Sequence, residues 1–421
     1  MQQVNKQNNH MGLSWGMKIV LLLFTILAIA GEAYSTETTE ENLELTDTTR
    51  TIENSIRIYI PSGNYQKVKE ITGNQIHLLK PLIIINNDSL GEAEMHTRGK
   101  STLQLRRKSF SVDLDKEASL YNSAVIHTFK KFYAICLSMD KFYFRNRISF
   151  EMLKEIGLFD LFFTYSELEI NDQNEGIYLL VERPQDWALK KNKSPCIIRR
   201  GFNNKIDKIR PGKKIEKTET QNHRRQFSQI YKSLNKYEGQ ALYRALSQWI
   251  DLDMYMKWLA FNFFIRNGDY TDEVYFFVDP VTGRYKIIPW DYDDVFASQP
   301  HEGKEARSRN IGQTLIFSSE DKLDLKIASD PFLYQKYKDL LSEVLNVLTP
   351  EKIKSVFERT YAELYPYYQT EEIISMSRFD SHPVDSVNTL KSEMNGLYKL
   401  LISYRGIYLN FLDAKSENIT H

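Results

Sequence analysis

The stretch RNGDYTDEVYFFVDPVTGRYKIIPWDYDDVF, residues 266–296, decides how this sequence is interpreted. Residues 273–278 and 284–290 have the aromatic and β-branched character of β-strands. The segment DPVTG between them carries the proline and the glycine that suit a short turn. The pattern therefore predicts an antiparallel hairpin, and the outer ends of its two strands must lie side by side.

Acidic residues stand at both outer ends of this hairpin. Asp269 and Asp272 precede it and Asp291 and Asp293 follow it, so we expect these four carboxylates to converge. Crowded carboxylates repel one another unless cations lie among them. Oxygen ligands favour Mg²⁺ or Mn²⁺, so the pattern predicts a divalent-metal site. Whether Asp272 or Glu273 completes its ligand shell or only flanks it stays open. The alternative is a solvated acidic hairpin end.

The same layout is found in protein kinases, where a catalytic aspartate precedes a short hairpin and a metal-binding aspartate follows it. The HRD and DFG motifs of those kinases are absent here. The turn HTRGKST, residues 96–102, sets Arg98 and other polar residues around a glycine that can approach phosphate, although the Walker spacing is not met. Lys108 and Glu182 are candidates for a lysine–glutamate pair that orients nucleotide phosphates. Solvated turns and strand-edge charges are the alternatives.

Segments with the periodicity of β-strands come first in the sequence and segments with the periodicity of helices come later, which predicts an α+β fold. Residues 54–115 contain several short strand-like segments, and residues 167–182 form a strand pair joined through residues 173–175. Residues 240–265 are helical with a break near Asp251, and the chain after about residue 330 is helical to its end. The sequence therefore predicts a β-rich N-terminal part and a helical C-terminal part.

Composition narrows the class of protein. Lys+Arg and Asp+Glu both number 55, so no global field favours nucleic acid or an anionic membrane as a partner. The chain has two cysteines, Cys136 in an apolar run and Cys196 in a basic loop, and spacing alone leaves open whether they form a disulfide. There is no Cys/His array of the zinc type.

The N-terminus has the pattern of a signal peptide. Lys18 is followed by a dozen apolar residues, 19–30, which is shorter than the roughly 20 residues of a membrane span. We therefore expect residues 1–34 to be a signal peptide with an upstream extension, and the protein to be exported. Contact with a membrane is expected only through this segment. Residues 35–53 are polar and acidic, which predicts a disordered linker.

Taken in order, these segments resemble the CotH family, the spore-coat atypical kinases. That family combines an RGNST-type turn, a strand beginning with lysine, a helix bearing Arg-Asn, an N-x-G-x-Y-x-L-x-E strand, an N-x-D segment after a helix, an aromatic strand and P-W-D-x-D. The matching segments here are RGKST 98–102, KSFSVDL 108–114, RN 145–146, NEGIYLLVE 174–182, NGD 267–269, YFF 275–277 and PWDYD 289–293.

The resemblance implies an atypical kinase-like fold over residues 54–345, with residues 346–421 as a helical extension packed on it. It implies transfer of the ATP γ-phosphate to Ser/Thr of exported or surface proteins, with ATP and Mg²⁺ or Mn²⁺ as cofactors. Asp269 corresponds by position to the catalytic aspartate. The implied nucleotide-binding candidates are Lys108, Glu182 and Arg98. The implied metal-binding candidates are Asp291, Asp293 and Asp272.

Some positions depart from the family pattern, and two other functions stay open. Lys100 replaces the usual Asn of the turn, and Arg199-Arg200 stands where a Tyr-Lys pair is common. The alternatives are a catalytically degenerate CotH-like surface assembly or adhesion protein, and a metal-dependent phosphohydrolase. The basic segment 190–217 either recruits an acidic protein substrate or is a solvated loop.

Overall fold

We describe the chain from a computed structural model. The residues that the structure describes are 42–47, 50–70, 73–122, 125–140, 142–201, 206–212, 215–270, 274–297, 315–317, 321–377 and 387–416. The expected signal segment 1–34 and two of the acidic candidates, Asp272 and Glu273, lie outside these ranges. No helix among the described residues is both long enough and apolar enough to cross a membrane.

A closed sheet forms the N-terminal part. Its strands are β1 Ser55–Tyr59, β2 His77–Leu78, β3 Leu82–Ile85, β4 Asp88–Arg98, β5 Ser109–Asn122, β6 Val125–Ile135, β7 Phe163–Ile170 and β8 Gln173–Glu182. The order is β2-β4-β3-β1-β7-β8-β6-β5, and β4 also pairs with β5, so seven of these strands close into a barrel with β2 outside it. Only β1 and β7 run parallel; the other pairs are antiparallel.

Alternation along the strands separates the interior of the barrel from its outer face. Phe110, Val112 and Phe132 belong to the core inside the barrel. Leu179 and Val181 of β8 belong instead to the larger core, which the helices share. The β7–β8 turn lies at Asn171-Asp172, two residues before the predicted position, because both residues adopt positive φ angles of 50° and 60°. Asn and Asp tolerate this conformation better than most residues.

The second sheet and most helices form the rest of the molecule. The helices are α1 Ser62–Glu70, α2 Arg145–Glu155, α3 Lys217–Ser233, α4 Gly239–Ser247, α5 Leu252–Phe264, α6 Lys322–Ser329, α7 Pro331–Val347, α8 Pro350–Tyr368, α9 Glu371–Ser377 and α10 Val387–Ser416. The strands are β9 Cys196–Arg200, β10 Ile206–Pro211, β11 Val274–Val278 and β12 Tyr285–Ile288, in the order β10-β9-β11-β12. The predicted α+β class is confirmed, with strands predominating first and helices last.

Two local predictions are confirmed by the positions of these elements. The antiparallel hairpin of residues 266–296 is present as β11 and β12, with Tyr275 opposite Ile288. The helix break near Asp251 is also present, because this residue caps α5 and its side chain accepts a hydrogen bond from Met254 N at 3.3 Å. Such a cap satisfies an N–H group that has no partner within the helix.

The predicted boundary at residue 345 is not a domain boundary. It falls inside α7, and α8 buries Phe357 and Leu364 in the same core as α5 and the hairpin. The last helices are therefore part of the body of the protein. An amphipathic pattern alone cannot tell a helix of this core from an appended one, because both bury an apolar stripe.

The predicted linker and the predicted basic loop also need correction. In the segment 35–53, Leu43 is buried and its N–H donates to Asn395 Oδ1 at 2.9 Å, while Asp47 accepts from Tyr361 Oη at 2.6 Å. Few apolar residues are enough here because the helices supply the rest of the core. The basic segment 190–217 contains β9 and β10, and Cys196 begins a buried strand. Cys136 and Cys196 are both free, so no disulfide forms.

Candidate functional site

Backbone hydrogen bonds hold the two outer ends of the hairpin together. Gly268 N donates to Asp294 O at 2.8 Å, and Phe296 N donates to Ile265 O at 2.9 Å. The loop that follows α5 and the loop that follows β12 therefore run side by side. This fixes Asp269 on one loop close to Asp293 on the other, as the hairpin pattern predicted.

A buried asparagine sets the geometry of this junction. The Asn267 Nδ2 group donates to Asn262 Oδ1 at 3.0 Å and to Asp291 O at 3.2 Å. The Oδ1 atom of Asn267 accepts from Asp269 N at 3.1 Å. One amide side chain thus orients the backbone of both Asp269 and Asp291. The asparagine of the N-x-D motif has this structural role because its amide can donate and accept at the same time.

Two backbone features explain the residues that flank these acids. A Cβ atom on Gly268 would lie against the Asp294 carboxylate and 3.0 Å from Ala297 Cβ, so only glycine fits between the two loops. Asp291 has φ of 67°, in the left-handed region that aspartate tolerates. This conformation turns the chain as it leaves β12, and it places Asp293 and Asp294 next to the opposite loop.

Burial and the repulsion between carboxylates act together on the electrostatics of the site. Burial contributes most, and the charges of Asp269, Asp140 and Asp294 act in the same direction, so that the pKa of the Asp293 carboxyl is raised from its ordinary 3.8 to about 7. Asp293 therefore keeps its proton to a much higher pH than an exposed carboxyl group does. A cation bound among these carboxylates would favour the ionised form of Asp293.

Sequence reasoning missed Asp140, which belongs to the same acidic group. Its carboxylate accepts from Asn146 N at 2.9 Å near the start of α2, and Arg145 of that helix donates to Val295 O at 3.2 Å. Burial raises the pKa of Asp140 to about 6, although hydrogen bonds from the backbone of α2 oppose that shift. The sequence signal for Asp140 was its position shortly before the Arg-Asn pair of the next helix. It was missed because Asp140 is far from the hairpin along the chain.

Arg98 lies at the barrel side of the acidic loops. Its guanidinium is 4.0 Å from the ring centroid of Tyr133 and 5.8 Å from that of Trp290. The Tyr133 and Trp290 rings are themselves in edge contact at 5.8 Å. Trp290 immediately precedes Asp291, so this stack holds a cation of the barrel beside the loop that carries the acids.

The structure does not bring Lys108 and Glu182 together. The strand registers place Lys108 level with Tyr178, whose hydroxyl donates to Lys108 O at 3.1 Å. Glu182 is four residues further along β8, or about 13 Å at the usual rise per residue. The Lys108 ammonium donates to the carbonyl oxygens of Leu103, at 2.8 Å, and of Leu105, so it braces the turn after Arg98.

The side chain of Glu182 also faces a different direction from the acidic loops. Glu182 pairs with Phe132, whose ring lies inside the barrel, and paired residues on adjacent strands point to the same face. Its carboxylate accepts from Phe162 N at 3.3 Å. The proposed lysine–glutamate pair failed because residue spacing does not specify the face of a strand until the register is known.

The acidic group fits a hard divalent cation in its chemistry, with carboxylate oxygens as the available donors. Within the described ranges, no three His, Cys, Asp or Glu side chains converge closely enough to enclose a metal ion by themselves. Mg²⁺ sites in phosphoryl-transfer enzymes use one or two carboxylates and complete the shell with substrate phosphates and water. Asp291 and Asp293 suit such an open site.

Comparisons with known proteins find a family model and a relative that match this chain. The family model described as "CotH kinase protein" matches residues 95–399. The chain is also 22% identical over 324 residues to the inner spore coat protein H of Bacillus subtilis (strain 168), a match that covers 72% of this chain and 85% of that protein.

A solved structure was also found, the toxin–antitoxin complex of HipA and HipB with operator DNA from Shewanella oneidensis MR-1. It is 13% identical, with a TM-score of 0.33, and the match covers 91% of this chain and 72% of that chain. A TM-score this low supports no conclusion about fold or function. The family match spans most of the chain and includes both loops of the acidic site. The protein belongs to the CotH family of kinase-like proteins.

Proposed function

We propose that this protein is a metal-dependent kinase that transfers the γ-phosphate of ATP to Ser/Thr hydroxyls of exported proteins. The observation that carries the proposal is the junction of the two loops, which sets Asp269 beside Asp293, while Arg98 stacks near Trp290, the residue that precedes Asp291. An aspartate for the acceptor hydroxyl, acids for a metal and a cation for phosphate are the parts that phosphoryl transfer requires.

Each residue has a distinct task in this proposal. Asp269 orients the acceptor hydroxyl and takes its proton as the oxygen attacks the γ-phosphorus, while the bond from that phosphorus to the bridging oxygen breaks and ADP leaves. Asp291 and Asp293 hold Mg²⁺ or Mn²⁺, which when bound supplies positive charge to the phosphate oxygens. Arg98 contacts the same phosphate oxygens from the barrel side. Lys108 acts indirectly, because its ammonium group binds carbonyl oxygens of the turn that follows Arg98 and so keeps that turn in place.

Export is part of the proposal and depends on the N-terminal apolar segment alone. Residues 19–30 have the length and flanking charge of a signal peptide. Edman sequencing of the protein recovered outside the cytoplasm should give an N-terminus shortly after residue 30. A protein that keeps residues 1–34 and remains inside the cell would contradict export without affecting the proposed chemistry.

A direct test of the chemistry uses γ-labelled ATP with Mg²⁺ or Mn²⁺, and the chain from residue 35 onward. We expect label on the protein itself or on a Ser/Thr peptide library, as acid-stable phosphoserine or phosphothreonine. Asp269→Asn should reduce the rate about a thousandfold, within the range for loss of an acid–base group. Asp339→Asn is the matched control, because Asp339 is exposed on α7.

The alternatives give different results in the same assay. Release of inorganic phosphate without labelled protein would indicate a metal-dependent phosphohydrolase. A protein that binds no ATP with either metal would be a degenerate CotH-like surface assembly or adhesion protein. Equal labelling of the wild type and Asp269→Asn would overturn the role proposed for Asp269.

A further inference from the structure

A second charged feature lies beside the segment that links the barrel to the helical part. A cavity of about 470 Å³ is lined there by the basic side chains of Arg183, Lys190 and Arg210, together with Gln185 and one acidic residue, Asp186. We call it the basic pocket. Its charged wall residues are three cations and one anion, so its net charge is positive.

The cations of the basic pocket are held in place by the fold. Arg183 Nε is 2.6 Å from Asp186 Oδ2, and Arg183 Nη1 donates to Ser111 Oγ of β5 at 3.2 Å. Lys190 Nζ is 2.7 Å from Asp186 Oδ1. The Asp186 carboxylate is thus shared by two cations, and Arg210 adds a third positive charge from β10. Arg183 Nη2 also lies 3.9 Å from Asp113 Oδ2 of β5, outside the pocket wall. Among the residues that line the pocket, cations still outnumber anions.

Neighbouring lysines experience this positive charge. Burial lowers the pKa of Lys131, and Arg183 and Lys190 lower it further. Arg210 lowers the pKa of Lys208 on β10 more than burial does. The field of the basic pocket therefore extends from the outer face of the barrel to the strand β10. An anionic ligand would relieve the repulsion among these cations.

Contacts connect the basic pocket to the acidic site. Gln185 Nε2 donates to Tyr133 Oη at 2.7 Å, and the Tyr133 ring touches Trp290, which precedes Asp291. The pocket also opens beside β10, which ends the order of the second sheet among the described strands. An edge strand can pair with an extended peptide. A polypeptide that lies along β10 and Tyr133 can thus reach both features.

We propose that the basic pocket binds acidic side chains of the protein substrate and so positions a nearby Ser or Thr at Asp269. This inference rests on the proposed kinase function and names the class of substrate: Ser/Thr segments flanked by Asp, Glu or phosphorylated residues. The acceptor hydroxyl meets the acidic loops, whereas the negative flank of the same segment is held at the basic pocket. The negative charge of the flank is thereby kept away from the carboxylates of the acidic site.

The chain offers a matched control for non-specific attraction. A cavity of about 410 Å³ along α3 and α4 is lined by Lys232, Lys236 and Arg244 and is also positive. None of the residues that line that cavity lies on the barrel or on the two loops that carry the acids. Lys232 and Arg244 are exposed, as are Lys190 and Arg210, so charge reversals at both cavities alter net charge equally with little risk to folding.

The first measurement is binding of fluorescent Ser peptides to the full chain without nucleotide. One peptide carries an Asp/Glu block three, five or seven residues from the serine, and its partner carries Asn/Gln instead. We expect the acidic peptide to bind more tightly and Lys190→Glu/Arg210→Glu to weaken it about tenfold, since each exposed charge contributes at most about 1 kcal/mol. Lys232→Glu/Arg244→Glu should change binding less than about twofold. Equal losses in the two double variants, or no preference for the acidic peptide, would overturn the proposal.

A competition measurement tests whether the pocket belongs to the nucleotide. Repeating the titration with saturating Mg²⁺ and a non-hydrolysable ATP analogue should leave peptide affinity within about twofold of its value without nucleotide. Displacement of the acidic peptide by the analogue would assign the basic pocket to ATP and overturn the proposal.

The proposed function and the substrate site can fail separately. Asp269→Asn should lose phosphate transfer but bind the acidic peptide as the wild type does. In the transfer assay, Lys190→Glu/Arg210→Glu should raise KM for the acidic peptide with kcat retained. Selective peptide binding by a wild type that transfers no phosphate would refute the kinase function and leave the binding site standing. Transfer without selective binding would refute only the site.

Discussion

Two charged groups of this protein are buried in different surroundings: Arg200 lies among opposite charges, whereas Asp293 lies among like charges. Arg200 is fully buried, with its guanidinium 3.4 Å from Asp321 and 2.9 Å from Tyr255 Oη. Burial lowers the pKa of Arg200, but the nearby acids and tyrosines raise it well above its ordinary value. At Asp293, burial and the neighbouring carboxylates act in the same direction and raise its pKa.

The two clusters differ in the sign of the charges that surround the buried group. Around Arg200 the fold supplies opposite charges, so the ionised state is the stable state. Around Asp293 the fold gathers like charges, which costs stability in the metal-free protein. Strongly raised carboxyl pKa values are typical of sites that bind cations or carry out catalysis. Changes to the two clusters should therefore affect stability with opposite sign.

Breaking the Arg200 cluster should have the largest effect on stability. Asp321→Asn leaves the Arg200 charge buried with weaker compensation, and such losses cost about 3–5 kcal/mol. Urea unfolding followed by tryptophan fluorescence measures this change in the free energy of unfolding. The exposed Asp339→Asn should stay within about 0.5 kcal/mol of the wild type. A loss below about 1 kcal/mol for Asp321→Asn would show that the buried pair is not a structural requirement.

The acidic site should give a smaller effect that depends on pH. In the folded protein without metal, Asp293 binds its proton more tightly than in the unfolded chain, with a pKa of about 7 against 3.8. Its contribution to stability is therefore full below about pH 4 and is lost as the pH rises through 7. Asp140, with its pKa raised to about 6, acts in the same direction.

Asp293→Asn should remove most of the loss of stability that the folded protein suffers as the pH rises. In EDTA at pH 8 we expect the variant to be more stable than the wild type by about 1–3 kcal/mol. This is less than the roughly 4 kcal/mol that the whole pKa shift is worth, because the amide that replaces the carboxyl also loses hydration on burial. At pH 4 the two proteins should have nearly equal free energies of unfolding. A difference between them that does not change from pH 4 to pH 8 would mean that Asp293 does not titrate as described.

Weakening the stack of Arg98 on Tyr133 should have a smaller effect on stability than the changes at Asp321 and Asp293. Arg98→Lys keeps the positive charge but loses the planar contact with Tyr133, which is worth about 0.5–1 kcal/mol at a partly exposed site. We expect the apparent affinity for ATP to fall a few-fold and the melting temperature to change by no more than a few degrees. Arg57→Lys is the control, because Arg57 bonds to Asn87 in an exposed position on the barrel. An equal loss of ATP affinity in Arg57→Lys would contradict a specific role for Arg98.

The hairpin and its acids were predictable because they are local. Turn residues, strand residues and flanking aspartates lie within one stretch, so antiparallel pairing alone brings Asp269 toward Asp293. The sequence pattern also predicted the α+β class and the helix break near Asp251. Each of these depends on interactions between residues that are close along the chain or paired by a short turn.

The remaining features depend on packing between distant segments. Asp140 joins the acidic group only because α2 docks against the loop after β12. Lys108 and Glu182 looked suited to each other in charge, but the register of three strands sets them about 13 Å apart. Leu43 is buried by helices more than 300 residues away, which a polar segment does not reveal.

The most direct test of the central claim is Mn²⁺ binding measured by electron paramagnetic resonance, with a non-hydrolysable ATP analogue present. The claim is that the like charges around Asp293 form a metal–nucleotide site. The wild type at pH 7.5 should bind one Mn²⁺ with the analogue, Asp339→Asn should bind it equally, and Asp293→Asn should bind it at least about tenfold more weakly. Equal Mn²⁺ affinity in the wild type and Asp293→Asn would contradict the account.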